Sequence, residues 1–186
     1  MNIFDIAKQN QEKAWQVIKN TNIIQIWEDA GAKINLVGSL RTGLLMKHRD
    51  IDFHIYSSAL NLTDSFQAMA RLAENPSIKR IECANLLHTA EACIEWHAWY
   101  QNEENELWQM DMIHIREGSR YDGYFEKVAQ RISEIMTDEI RETILRLKYE
   151  TPETEKIIGV EYYQAVIRDG VRDYSGFKEW SILLRE

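Results

Sequence analysis

The stretch Leu36-Val37-Gly38-Ser39-Leu40-Arg41-Thr42-Gly43-Leu44, followed by Arg49-Asp50-Ile51-Asp52-Phe53-His54-Ile55-Tyr56, decides how the chain is read. In its second part Asp50, Asp52 and His54 alternate with Ile51, Phe53 and Ile55. Period two marks a strand with one polar and one apolar face. Carboxylates at i and i+2 project from the same face, close enough to repel. Such a pair is stabilised by a positive group between them, and a divalent ion is the usual solution. In the first part a short apolar strand, Lys33 to Val37, runs straight into Gly38-Ser39, where the pattern breaks as at a tight turn.

Upstream, apolar residues from Phe4 to Ile18 recur at helical spacing, and a second helix is predicted over Ile23 to Ala30 with Gly31 as its C-cap. Downstream, Leu62 to Glu74 reads as a helix capped by Thr63 and stopped by Asn75-Pro76. Three strands are expected at Ile78 to Leu87, Ala92 to Gln101 and Leu107 to Ile115, the last two joined as a hairpin across Asn102 to Glu106. From Tyr124 the period becomes helical, giving one or two helices that end near Glu150. Thr151-Pro152 restarts a helix that Asp169-Gly170 closes, and a final helix covers Gly176 to Leu184. This order is α+β, a mixed sheet with flanking helices. It divides into an α/β core over residues 1–120 and a helical C-terminal region over 121–186 that packs on it.

At 186 residues, 45% hydrophobic and 28% charged, the chain has material for one core of ordinary size. Two prolines and eight glycines leave no room for a collagen-like or disordered reading. The net charge of −8, from 30 acidic against 22 basic residues, argues against a duplex nucleic-acid partner and weakly favours a cationic small molecule. Cys83 and Cys93, with no second pair, make neither a redox motif nor a cysteine zinc site, and read as buried, reduced thiols. The first residues carry Asp5, Lys8, Glu12 and Lys13 in place of an apolar signal block, and no apolar run suffices to span a bilayer. A cytoplasmic protein with no membrane partner is the expectation. P-loop, dinucleotide, zinc-protease and nucleophile-elbow motifs are absent from the sequence.

A Gly-Ser turn, an acidic pair on a strand and a third acid, Asp111, between Met110 and Met112 on a later strand occur here in that order. This arrangement resembles the nucleotidyltransferase superfamily, whose fold is shared by DNA polymerase β and the small antibiotic nucleotidyltransferases. The segment Lys47-His48-Arg49-Asp50-Ile51-Asp52 is also similar to the His-x-Asp-x-Asp form of lincosamide and aminoglycoside adenylyltransferases. Gly38-Ser39 stands where those enzymes have Gly-Gly-Trp, so the antibiotic acceptor does not carry over.

The resemblance implies a two-metal phosphoryl transfer in which Asp50, Asp52 and Asp111 hold two Mg²⁺ ions and are the catalytic acids. It implies that Gly38 and Ser39, aided by the N-terminus of a following helix, bind the phosphates of ATP or another nucleoside triphosphate. Arg41, Arg49 and Lys148 are the cations expected to meet the triphosphate. Glu95 and His97 share a face of the neighbouring strand as candidates for a base or substrate contact, and His54 shares the face of the acidic pair. The run from Glu161-Tyr162-Tyr163 through Arg168, Arg172 and Tyr174 either covers the sheet, the default, or lines an acceptor pocket. The implied reaction moves a nucleoside monophosphate onto a hydroxyl of a small molecule. Two alternatives accompany it: adenylylation of a protein partner, as by antitoxin-type members, and a nucleotide-binding module without turnover.

Overall fold

Alternation along β2 (Asp50–Ser57) sorts its side chains as the sequence predicts. Ile51, Phe53 and Ile55 are fully buried, while Asp50 and Asp52 lie half-buried on the opposite face. The computed structural model describes residues 2–155 and 157–184. Five strands, β1 (Lys33–Leu36), β2, β3 (Ile78–Asn85), β4 (Cys93–Gln101) and β5 (Leu107–Arg116), form one sheet in the order β1-β2-β5-β4-β3. β2 and β5 run parallel and the other neighbours antiparallel, so the sheet is mixed. Its apolar face packs on α1 (Ile3–Thr21), α2 (Ile23–Asp29) and α4 (Leu62–Ala73), burying Val17, Trp27, Met69, Trp96, Trp108 and Met110. Burial of this kind stabilises by about 1.5–3 kcal/mol per large apolar side chain.

A second core lies among the C-terminal helices. Ile144, Leu145 and Leu147 of α6 (Asp138–Glu150) meet Tyr162 and Val166 and Phe177 of α8 (Tyr174–Leu183). Between them α7 (Gly159–Tyr163) runs into a π-helical turn, Gln164–Arg168. Ala7 of α1 and Leu44 and Met46 of the segment before β2 complete this core. α3 (Gly38–Arg41) is a single turn, and α5 (Tyr124–Ile135) lies over one end of the polar face, where Glu126 accepts from Tyr56 Oη (2.8 Å) and Asn35 Nδ2 (2.8 Å). Among the described residues no helix is long and apolar enough to cross a membrane.

Four local expectations are corrected. Asn61 rather than Thr63 caps α4, accepting from Asp64 N at 2.8 Å. The helix expected from Pro152 starts only at Gly159, and residue 156 lies outside the described residues. Here Lys47 Nζ takes the carbonyls of Tyr149 and Thr151, which ends α6 and turns the chain away. Within the aromatic run after Glu161, Tyr162 does not cover the sheet; it is buried in the helical core, stacked on Phe177 at 4.8 Å. Cys93 is buried but Cys83 is exposed, because β3 is an edge strand.

A hydrogen-bonded polar cluster sits within the first core. His114, 2% exposed, bonds Ser65 Oγ through Nδ1 (3.0 Å) and Ser57 Oγ through Nε2 (2.8 Å), and Trp96 Nε1 donates to the same Ser65 Oγ (2.8 Å). Burial pushes its pKa down to about 4 against a weak pull from Asp64. The unfolded chain therefore binds this proton more tightly. The stability the neutral imidazole contributes is fully present above pH 6.5 and is lost as pH falls from about 6.5 towards 4, by about 3 kcal/mol at most. NMR of the ring Cε1–H should show His114 titrating near pH 4; an apparent pKa above 6 would refute the neutral buried ring.

Candidate active site

The parallel pairing of β2 with β5 sets Asp52 opposite Asp111 and Asp50 opposite Gln109. Three carboxylates thus share one patch of the polar face. Burial, then the charges of Asp50 and Asp111, push the Asp52 carboxyl up to about 7, with Lys148 pulling the other way. Asp111 Oδ1 accepts from His97 Nδ1 (2.5 Å) and Gln109 Nε2 (2.7 Å). Among the described residues no three His, Cys, Asp or Glu side chains already converge as a metal cluster. The donor set nevertheless fits a hard divalent cation: three carboxylates whose mutual repulsion a positive ion relieves.

Gly38 is fixed by this patch. Val37 N donates to Asp52 O (2.9 Å), which seats the turn on β2, and Gly38 has φ +67°. A Cβ at Gly38 would lie 1.9 Å from Asp52 Oδ2. Backbone and carboxylate therefore touch where any side chain would separate them. Ser39 is buried. The helix expected to lend its N-terminal potential is only the single turn Gly38–Arg41.

Side chains from two helices grip the segment that follows. Gln11 Nε2 of α1 donates to Gly43 O (3.1 Å) and Leu45 O (3.3 Å), and Arg141 Nη1 of α6 to Thr42 O (3.2 Å) and Gly43 O (3.1 Å). Lys148 Nζ donates to Leu44 O (3.0 Å). That ammonium is buried, which lowers its pKa to about 8 against the pull of Asp50 and Asp52. It also lies 5.7 Å from the ring centroids of Tyr162 and Tyr163. Burial, with the charges of Asp52 and Asp50, pushes the Tyr163 phenol up to about 12.

Of the residues singled out in the sequence, the structure links Asp50, Asp52, Asp111 and Lys148 electrostatically and sets Gly38, with Ser39 next to it in the chain, against Asp52. Arg41 is exposed. Arg49 is exposed too and pairs with Glu106 (3.1 Å), which also holds Lys13 of α1 (3.0 Å). His54 is buried edge-on against Phe125 at 4.6 Å. Gln11 and Arg141 carry no local signal; only the fold brings them here. Tyr163 belongs to the aromatic run noted in the sequence, and its ring lies beside Lys148. An apolar groove of about 450 Å³ lined by Leu62, Phe66 and Ala70 sits on α4, across the sheet from the carboxylates.

No family model matches the sequence. No curated protein matches it either. Solved structures do. The Cid1 poly(U) polymerase with MgGTP bound superposes with a TM-score of 0.62 at 13% identity, over 88% of this chain and 53% of that one. A cytoplasmic RNA terminal U-transferase gives 0.55 at 10%, over 89% and 50%. The GLD-2/RNP-8 complex gives 0.60 at 8%, over 89% and 58%. The chain spans about half the length of the structures it matches. At these identities the likeness is one of fold: the chain has the mixed-sheet α+β architecture of nucleotidyltransferases.

Proposed function

We propose that the chain is a metal-dependent nucleotidyltransferase that moves AMP from ATP onto a hydroxyl of a small-molecule acceptor. One observation carries the reading: Asp52 stands opposite Asp111 and beside Asp50 while the Gly38 backbone closes on its carboxylate. Asp50, Asp52 and Asp111 are the residues that would hold Mg²⁺. A divalent ion bound there supplies charge neutralisation at the phosphates and acidifies the attacking hydroxyl. The chain's own part is alignment. The amides of the Gly38-Ser39 turn would bind a phosphate, and the grip of Gln11, Arg141 and Lys148 holds the segment that follows the turn. The buried Lys148 ammonium offsets part of the carboxylate charge before substrate arrives.

The net charge of −8 favours a small acceptor over a polyanion. An RNA 3′ end is the second reading, favoured by the RNA terminal transferases among the structural matches. Calorimetry with Mg²⁺ and a non-hydrolysable ATP analogue tests the site: the wild type should bind and Asp52→Asn should not. Absence of binding with ATP, GTP, CTP and UTP analogues alike would replace the enzyme with a scaffold. Transfer of label from ATP to an oligonucleotide, and to no hydroxyl compound, would select the RNA reading.

A further inference from the structure

The polar face continues from the carboxylates onto β4, where Glu95, His97 and Trp99 point the same way. His97 is the direct cross-strand partner of Asp111. Its ring spans two acids, with Nδ1 2.5 Å from Asp111 Oδ1 and Nε2 3.1 Å from Glu95 Oε1. Both donors to Asp111, His97 Nδ1 and Gln109 Nε2, converge on Oδ1, and no described residue donates to Oδ2. A carboxylate beside two others is pushed away by their charge and turns freely about its last bond. Two bonds to a single oxygen oppose both tendencies.

We propose that His97 is a positioning residue: tethered at its far side by Glu95, it holds the Asp111 carboxylate by Oδ1 and so leaves Oδ2 for a cation shared with Asp52. The inference rests on the metal-dependent reading above. Partners of this kind typically account for 10–100-fold in metal affinity.

The test is Mn²⁺ binding in the presence of a non-hydrolysable ATP analogue, followed by electron paramagnetic resonance of the free ion. His97→Ala should weaken Mn²⁺ about 10–100-fold while the melting curve stays cooperative. His97→Asn, whose amide N–H takes the place of Nδ1, should recover most of the loss, whereas His97→Gln, whose amide reaches towards Glu95, should not. In an Asp111→Asn background His97→Ala should add nothing, since the group it acts through is gone. A merely structural histidine would give the same loss in both backgrounds. Wild-type affinity in His97→Ala, or an additive loss with Asp111→Asn, overturns the inference while leaving the enzyme reading intact. A wild type that binds no Mn²⁺ overturns both.

Discussion

Replacing Asp52 with asparagine should reduce nucleotidyl transfer by about 10³-fold or more, because the change removes one of the three carboxylates that would hold the metal and a metal contribution of several kcal/mol goes with it. The same substitution should make the metal-free protein more stable at pH 8. Asp52 is raised to about 7 by burial and by Asp50 and Asp111, so the folded state holds this proton more tightly than the unfolded chain does. For a carboxylate shifted upward, folding stability declines as pH rises from about 4 to 7, by as much as about 4 kcal/mol. His114 acts in the opposite sense over an overlapping window, losing stability as pH falls from about 6.5 towards 4. In the wild type these two slopes oppose each other. In Asp52→Asn the slope from Asp52 is gone while that from His114 remains, and denaturant unfolding should show stability rising more steeply from pH 4 to 6.5 than in the wild type. A variant with full turnover, or with a profile identical to that of the wild type, would remove Asp52 from the role assigned to it.

How the sequence announces this site follows from the range of the interactions. β2 and β5 are legible because alternation is local: Asp52 and Asp111 stand out as acids on strands whose other faces are apolar. Even the His97–Asp111 contact is countable from the chain. A hairpin that pairs Gln101 with Leu107 across the loop at 102–106 must pair His97 with Asp111. Gly38 reads as a turn, but its reason, the carboxylate against its backbone, appears only when β1 and β2 are paired. The grip on residues 42–45 is invisible in the sequence. Gln11 and Arg141 look like ordinary helix-surface residues, and their partners are backbone carbonyls, which carry no side-chain signature. Arg49 shows the converse. Its place in the motif suggested phosphate, while the fold provides a nearer anion in Glu106. The helix misplaced at Pro152 has a similar cause, since Lys47 caps α6 from a segment distant in sequence.

Gly38→Ala separates the two reasons for a glycine at the centre of the site. Gly31 provides the control: it has φ +77°, and a Cβ there meets nothing within 4 Å. Gly31→Ala therefore bears only the left-handed backbone penalty, about 1–2 kcal/mol, and should lower the melting temperature by a few degrees without touching transfer. Gly38→Ala bears the same backbone penalty at φ +67° and in addition places a methyl group 1.9 Å from Asp52 Oδ2. Either the Asp52 side chain swings away or the turn lifts off β2, and both move the carboxylate apart from the amides proposed to bind phosphate. A displacement of this size at a reacting centre costs on the order of 10²-fold. Transfer in Gly38→Ala should fall by at least that factor, and binding of the ATP analogue should weaken with it, although no charged or catalytic group has been removed. Equal transfer in the two alanine variants would mean that the Gly38 contact with Asp52 is incidental. The turn would then be a backbone requirement of the fold alone.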